Sequence, residues 1–189
     1  MSENSLNLSL LLVHPTADGI RNIESFFKKM PIRYEILEIE TLSKTAMKAA
    51  GEFVFILDSK MDVPLAEVIA FLTRFYSDPK LQIIVGDRFS RKTTTAWLND
   101  FARKLFSIEA KDIFCPMKGF RKEFSDQILG TTHTQFATDV EIFIKARDLN
   151  ATLQSVPVFS NQVRTSLHPI KTFFELVSLW LFANHSSRE

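Results

Sequence analysis

The stretch that decides the fold runs from Gly51 to Asp62 and reads Gly-Glu-Phe-Val-Phe-Ile-Leu-Asp-Ser-Lys-Met-Asp. Its apolar, β-prone residues end at Asp58, and a second carboxylate, Asp62, follows closely. Such a run predicts a buried strand. In open α/β sheets, ligands bind outside the carboxyl ends of the strands, so Asp58 is placed to hold a metal ion or a ligand hydroxyl. The alternative is that Asp58 only ends the strand and caps a turn.

Strand and helix patterns alternate on both sides of this stretch. An apolar run over 8–13 is followed by helical spacing over 16–29, and the segment 34–40 has the partial alternation of a strand nearer the edge of a sheet. Because parallel strands need crossover helices, this alternation predicts an α/β fold with a mainly parallel sheet and helices on both faces. The other predicted elements are strands at 81–86 and 152–159, a loop at 112–119, and helices at 43–50, 64–78, 95–106, 122–129, 138–149 and from Pro169 onward.

The composition is that of an ordinary globular protein. Hydrophobic residues make up 46% and charged residues 24% of the 189 residues. This length suffices for one well-buried core, so we expect a single domain over 1–189. The net charge of +1 and the scattered Lys and Arg residues argue against a nucleic-acid binder, which would show a basic cluster.

Cysteine usage and hydropathy bear on the compartment. The single cysteine, Cys115, excludes an internal disulfide and is typical of a reducing cytosolic protein. Residues 1–5 lack the pattern of a signal peptide, and the longest strongly apolar stretch, 173–183, contains Glu175 and is shorter than the roughly 20 residues of a membrane span. We therefore expect a cytoplasmic protein with no transmembrane span, which could lie peripherally at the inner face of a membrane.

Several short motifs follow one another in order across nearly the whole chain. They are His14-Pro15-Thr16-Ala17-Asp18-Gly19, the acidic segment 35–40, Gly51 to Lys60, Val85-Gly86-Asp87-Arg88, Met117-Lys118-Gly119-Phe120-Arg121, Ala137-Thr138-Asp139-Val140-Glu141 and Val156-Pro157-Val158. Their order and spacing resemble glycosyltransferase family 2 proteins of the dolichol-phosphate mannosyltransferase type, which have the GT-A fold. The resemblance implies a nucleotide-sugar donor, a polyprenyl phosphate or related acceptor at the membrane surface, and a divalent cation, Mg²⁺ or Mn²⁺.

The same resemblance implies a set of site residues. By this resemblance, the donor is bound by Pro15, Asp18, Glu40, Asp58, Lys60 and Arg164, and the metal ion is bound by Asp58 and Asp62. The catalytic group is Asp139, which would act on or orient the acceptor, with Arg88 and Arg121 facing the acceptor phosphate. The alternatives from the residues themselves are that Asp139 complements a helix dipole and that Arg88 and Arg121 form structural ion pairs with Asp87 and Glu123.

The chain also departs from the family pattern. The metal-binding Asp-x-Asp has become Asp58-Ser59-Lys60, Ala17-Asp18-Gly19 replaces residues that seat the nucleotide base, and the connection from 40 to 52 is too short for the family's additional helix and strand. We hypothesise that any activity is metal-independent or weakly metal-dependent, with the Lys60 ammonium meeting the pyrophosphate and Asp62 orienting a hydroxyl. The alternative is that Lys60 destroys the site.

Histidine and cysteine chemistry is not indicated. No two of His14, His133, His168 and His185 have the spacing of a zinc motif. Cys115, in an apolar stretch beside Pro116, is predicted to be a packed thiol and not a nucleophile.

The last helix and the overall function each leave two hypotheses. The helix from Pro169 is apolar over much of its circumference, so it packs on the core or on a partner subunit, or it lies at a membrane interface. The protein is a sugar transferase of the kind described, or it is a catalytically inactive descendant that serves as a binding or regulatory module.

Overall fold

The computed structural model describes residues 7–39, 42–58, 64–89, 93–129, 135–159 and 169–186. Four of the predicted site residues lie outside these ranges, namely Glu40, Lys60, Asp62 and Arg164.

A six-stranded sheet forms the centre of the described structure. The strands are β1 (Leu8–Val13), β2 (Tyr34–Glu38), β3 (Phe53–Asp58), β4 (Ile83–Arg88), β5 (Lys118–Arg121) and β6 (Leu153–Val158), in the order β2-β1-β3-β5-β4-β6. Every pairing is parallel except those of β5, which runs antiparallel to both β3 and β4. The predicted α/β fold with a mainly parallel sheet is confirmed, and β2 lies at an edge of the sheet as its pattern predicts.

Seven helices accompany the sheet in the described part of the chain. They are α1 (Ala17–Phe27), α2 (Leu42–Lys48), α3 (Leu65–Ser77), α4 (Thr93–Phe106), α5 (Lys122–Ile128), α6 (Gln135–Asp148) and α7 (Pro169–Ser186). Helix α2 is the element described between β2 and β3, which agrees with the short connection seen in the sequence. None of these helices combines the length and apolar character needed to cross a membrane.

Strand β3 is buried along its whole length, as the opening stretch predicts. The rings of Phe53 and Phe55 pack against α3, where Phe53 stacks on Phe75 with ring centroids 5.0 Å apart. Because successive side chains of a strand point to opposite faces, burial of all six residues means that both faces of the sheet are covered. Gly119 of β5 allows this packing, since a Cβ atom there would lie 3.0 Å from the Phe55 ring.

Strand β5 corrects the sequence prediction of a loop over 112–119. Residues 118–121 form a four-residue strand that fills the gap between β3 and β4. The sequence Lys-Gly-Phe-Arg carries little strand signal of its own, because two charged residues and a glycine are all depleted in strands. Its strand conformation depends on the backbone hydrogen bonds that two neighbouring strands offer. The other differences are shifts of element ends, such as β4 over 83–88 instead of 81–86 and α6 beginning at Gln135.

Candidate functional site at the carboxyl edge of the sheet

Asp58 lies where the chain changes direction across the sheet. From β1 the chain passes to β2 on one side, and then returns to β3 on the other side of β1. The carboxyl ends of β1 and β3 therefore flank a topological switch point, which is where open α/β sheets bind ligands. Val13 and Asp58 pair in register at these two ends.

The partner of Asp58 at this point is His14. Its Nδ1 lies 3.6 Å from Oδ2 of Asp58, and the His14 side chain is 38% exposed whereas that of Asp58 is 6% exposed. His14 has a φ of 52°, a left-handed conformation that is uncommon for residues other than glycine. This conformation turns the chain as it leaves β1 and sets the imidazole beside the carboxylate of the neighbouring strand. The sequence placed His14 near a strand end, but it carried no signal that the two side chains meet.

The other predicted donor residues in the described structure follow β1. Pro15 is half-buried and lies next to His14. Thr16 caps α1, where its Oγ1 accepts a hydrogen bond from the backbone N–H of Gly19 at 3.1 Å. Asp18, in the first turn of α1, is exposed and forms an ion pair with Arg21. The structure thus brings Pro15 to the same edge as Asp58, and leaves Asp18 in solvent at the start of α1.

A buried ion pair joins Lys118 and Asp139 near the same edge. Because β5 is antiparallel, its first residue, Lys118, lies toward the carboxyl ends of β3 and β4, where it pairs with Ile56 and Val85. Its Nζ donates to Oδ1 of Asp139 at 2.8 Å and to the carbonyl oxygen of Cys115 at 2.5 Å. Asp139, the predicted catalytic carboxylate, is therefore held and electrostatically balanced by an ammonium that is itself fully enclosed.

Arg88, at the end of β4, is enclosed by a second ion pair. Its Nε and Nη2 donate to the two carboxylate oxygens of Asp112 at 2.6 and 3.0 Å, and both side chains are buried. Burial acts to lower the pKa of Arg88, but the hydrogen bonds and charge of Asp112 outweigh it and hold that pKa above its usual value. The partner is Asp112 and not the adjacent Asp87 that the sequence suggested. The guanidinium is turned inward to this partner, and the Arg88 side chain is 2% exposed.

Arg121 lies at the amino-terminal end of β3, whereas Asp58 lies at the carboxyl end of the same strand. It pairs with Phe53, the first residue of β3, because β5 runs against its neighbours. Its guanidinium donates to the carbonyl oxygens of Leu81, Phe75 and Asp78 and lies over the Phe53 and Phe75 rings at 5.4 and 5.5 Å. The structure therefore does not bring Arg121 together with Arg88, and the ion pair suggested with Glu123 is replaced by carbonyl and ring contacts.

Cys115 is fully buried, which confirms the predicted packed thiol. Burial raises the pKa of this thiol to about 12, so the thiolate is almost absent at neutral pH. We expect iodoacetamide at pH 8 to alkylate the folded protein more slowly than the urea-unfolded chain, by on the order of a thousandfold. Mass spectrometry of timed samples measures both rates, and similar rates would contradict the burial of this side chain.

The described side chains at the switch point do not by themselves make up a site for a divalent cation. Among the described residues, no three or more His, Cys, Asp or Glu side chains form a group that could hold a metal ion. Mg²⁺ and Mn²⁺ take several oxygen ligands, whereas the pair at the switch point consists of one carboxylate, Asp58, and one imidazole, His14. This pair by itself does not fit the cation, and the second predicted ligand, Asp62, lies outside the described residues.

Comparisons with known proteins identify the class to which this fold belongs. No protein-family model matches the sequence, and a search of curated proteins finds no significant match. Solved structures do match, and they place the chain in the GT-A-like fold of nucleotide-sugar transferases, as predicted.

Two of these structures show the extent of the likeness. Mannosyl-3-phosphoglycerate synthase from Rubrobacter xylanophilus superposes with a TM-score of 0.71 at 12% identity, over 93% of this chain and 73% of that one. Glucosyl-3-phosphoglycerate synthase from Mycobacterium tuberculosis, in complex with uridine diphosphate, gives 0.71 at 10% identity, over 94% of this chain and 80% of that one. Other structures of the latter enzyme hold Mn²⁺ or Mg²⁺ with uridine diphosphate, and one of them also holds phosphoglyceric acid.

Proposed function

We propose that this protein binds a nucleotide-sugar donor at the edge formed by His14 and Asp58 and transfers the sugar to a phosphate-bearing acceptor. The observation that carries the proposal is the position of this pair. A carboxylate and an exposed imidazole meet at the switch point of a sheet whose structural neighbours are nucleotide-sugar transferases. The family resemblance in the sequence points to the same donor class.

The donor contacts follow from the geometry of this edge. Asp58 is an acceptor for a sugar or ribose hydroxyl, and His14 keeps enough exposure to contact the same ligand. Pro15 and Asp18 lie on the chain that leaves β1, and we propose that Glu40, Lys60 and Arg164 complete the donor contacts. Because Lys60 replaces the second carboxylate of the metal-binding Asp-x-Asp motif, we propose that donor binding depends weakly on Mg²⁺ or Mn²⁺, with the Lys60 ammonium facing the diphosphate.

The enclosed ion pairs fit an acceptor that brings its own negative charge. In the transfer, an acceptor oxygen bonds to the anomeric carbon of the sugar while the bond to the nucleoside diphosphate breaks. A phosphate oxygen is already ionised at neutral pH, so it needs no general base. Because no general base is needed, Asp139 can remain in its ion pair with Lys118. We propose that Asp139 orients the acceptor. Polyprenyl phosphate at a membrane surface satisfies this chemistry, whereas a small phosphate such as phosphoglycerate satisfies it only through its phosphate oxygen and not through its hydroxyl, whose proton needs a base.

One observation favours the second hypothesis, a non-catalytic binding module. Asp139 and Arg88, two residues assigned to catalysis by resemblance, are each bonded to a buried partner of opposite charge, Lys118 and Asp112. A protein that has lost transfer but kept donor binding would tolerate both pairs. An assay for release of the nucleoside diphosphate from a bound donor therefore distinguishes the two hypotheses. An enzyme releases it when the acceptor is present, and a non-catalytic module does not.

Thermal unfolding with a panel of uridine and guanosine diphosphate sugars tests the proposal. A donor at 100 times its dissociation constant should stabilise the protein by about 2.7 kcal/mol, which corresponds to a rise in Tm of roughly 5–10 °C. Each donor is measured with Mn²⁺ and with EDTA, and inorganic pyrophosphate serves as the control for charge alone. If no nucleotide sugar raises Tm above the pyrophosphate control, the proposed function is wrong.

A further inference from the structure

Helix α7 has two opposite faces that are mostly apolar. One face packs on the domain, against α4 and α6, and its residues are buried, namely Thr172, Leu176 and Leu179. The other face is displaced from it by two residues, which is about 200° around the helix. Its members recur at helical spacing, namely Ile170, Phe174, Val177 and Leu181. Ile170 is 74%, Phe174 64% and Leu181 51% exposed. A surface helix normally presents polar residues to water, so this outward face indicates a partner.

Aromatic rings beside this outward face enlarge it. Trp97 of α4 is 54% exposed, and its ring stacks on Phe173 of α7 with centroids 5.9 Å apart. Phe173 in turn contacts Phe174 edge to face, with centroids 5.8 Å apart. Trp180, which is 39% exposed, lies two turns after Phe173 on the same side of α7. We call the whole set the outer α7 surface, which comprises Trp97, Ile170, Phe174, Val177, Trp180 and Leu181.

The area and charge of the outer α7 surface fit an interface between proteins. An aromatic side chain carries about 150–250 Å², so the exposed fractions of the set supply on the order of 500 Å² of apolar area. A stable dimer buries about 800 Å² on each partner, and the polar residues around the surface supply the remainder. The charged residues within 170–181 are Lys171 and Glu175, whose Nζ and Oε1 atoms lie 3.9 Å apart. A membrane-surface helix is rich in Lys and Arg beside its apolar face, whereas this stretch has a single lysine.

The spacing of the outward face matches a second copy of itself. The intervals between its four residues are four, three and four, which read the same in both directions. When two such helices pack antiparallel, Ile170 of one copy faces Leu181 of the other, and Phe174 faces Val177. This is the reciprocal contact that a two-fold axis requires. It also sets a large phenyl ring beside a smaller valine, so the side chains of the two faces interdigitate.

We propose that the outer α7 surface is the interface of a homodimer in which the α7 helices of two copies pack antiparallel. A second copy supplies the matching pattern by symmetry, whereas an unrelated protein would need a complementary face of its own. The composition agrees, because the cores of protein interfaces are enriched in aromatic residues and depleted in charged ones. The dimer concerns association of the chain and does not depend on the proposed sugar transfer.

Sedimentation equilibrium of the full-length protein tests the interface. We expect a particle of twice the 21.7 kDa mass of the chain, and we expect Phe174→Glu to raise the dissociation constant of the dimer by at least about 100-fold. The new carboxylate would be buried without a partner between two apolar faces. Met47→Glu is the matched control, since Met47 is 77% exposed on α2 and lies outside the outer α7 surface. Both side chains are exposed, so both variants should fold, and circular dichroism checks this.

A charge exchange tests the symmetry of the interface. Because Phe174 faces Val177 in the antiparallel packing, the two copies of position 174 are offset by about 4.5 Å along the helix axis. Phe174→Glu and Phe174→Lys should each be monomeric alone, because like charges meet across the axis. An equimolar mixture of the two variants should form a heterodimer, because opposite charges then meet. Sedimentation of the mixture and native mass spectrometry measure its formation.

Four results would overturn the proposal. One is a wild-type protein that stays monomeric at on the order of 100 µM. Another is a dimer that persists in Phe174→Glu, or that Met47→Glu weakens as much. The third is a monomeric wild type that floats with vesicles of phosphatidylcholine and phosphatidylglycerol and loses this binding in Phe174→Glu, which would make the surface a membrane contact. The fourth is a mixture of the two charge variants that stays monomeric although the wild type is a dimer, which would contradict the antiparallel packing.

Discussion

Replacing Asp112 by Asn is expected to lower the free energy of unfolding by about 3–5 kcal/mol. The carboxylate is fully buried and accepts two hydrogen bonds from the guanidinium of Arg88, which is also buried. The amide keeps the shape of the side chain but removes its charge, so the arginine is left as an uncompensated cation in the interior. Urea unfolding followed by circular dichroism measures the change.

Two further variants show whether the loss of stability comes from the unpaired buried charge and not from the substitution of any paired aspartate. Asp126→Asn removes one partner of the exposed Lys122–Asp126 pair and should cost less than about 1 kcal/mol. The double variant Arg88→Met/Asp112→Leu removes both buried charges and should be more stable than Asp112→Asn, because no unpaired charge remains. If Asp112→Asn lowers the free energy of unfolding no more than Asp126→Asn does, the Arg88–Asp112 ion pair does not stabilise the fold.

The sequence predicted those elements whose signal is local. The run 53–57 is continuously apolar and, with Asp58, becomes the fully buried strand β3, and the weaker alternation after Tyr34 becomes the edge strand β2. Strand β5 was missed, because four residues with two charges and a glycine form a strand only when β3 and β4 flank them. The antiparallel direction of β5 was therefore not predicted either. This direction places Arg121 beside Phe53, at the end of β3 opposite to Asp58.

The candidate site shows the same division between local and long-range information. Asp58 was predicted because it ends an apolar run. Its neighbour His14 directly follows another strand, β1, and the contact depends on a left-handed backbone conformation of His14 that the sequence does not predict. The partners of Arg88 and Asp139 lie 24 and 21 residues away along the chain. Such pairs follow from the packing of whole elements, so the charge next to Arg88 suggested the wrong partner, Asp87, and no local pattern indicated Lys118 as the partner of Asp139.

Asp58→Asn is expected to weaken binding of the nucleotide-sugar donor by about 10- to 100-fold. The side chain lies at the switch point beside His14, and we have assigned it a donor hydroxyl as partner. A hydrogen bond to a charged group contributes about 1.5–3 kcal/mol, which sets this range. Isothermal titration with the donor that gives the largest thermal shift measures the change, and Asp126→Asn, on α5, should bind as the wild type does.

The dependence of this loss on the cation shows which role Asp58 has. If Asp58 accepts a hydroxyl, the affinity falls equally with Mn²⁺ and with EDTA, which is the result we expect, because Lys60 replaces the second carboxylate of the metal-binding Asp-x-Asp motif. If Asp58 instead held an ion carried by the diphosphate, the loss would occur only with Mn²⁺. In EDTA the substitution would then strengthen binding, because removing a carboxylate near two phosphates relieves like-charge repulsion. The sign of the change in EDTA therefore decides between the two roles, and unchanged affinity under both conditions would exclude Asp58 from the donor site.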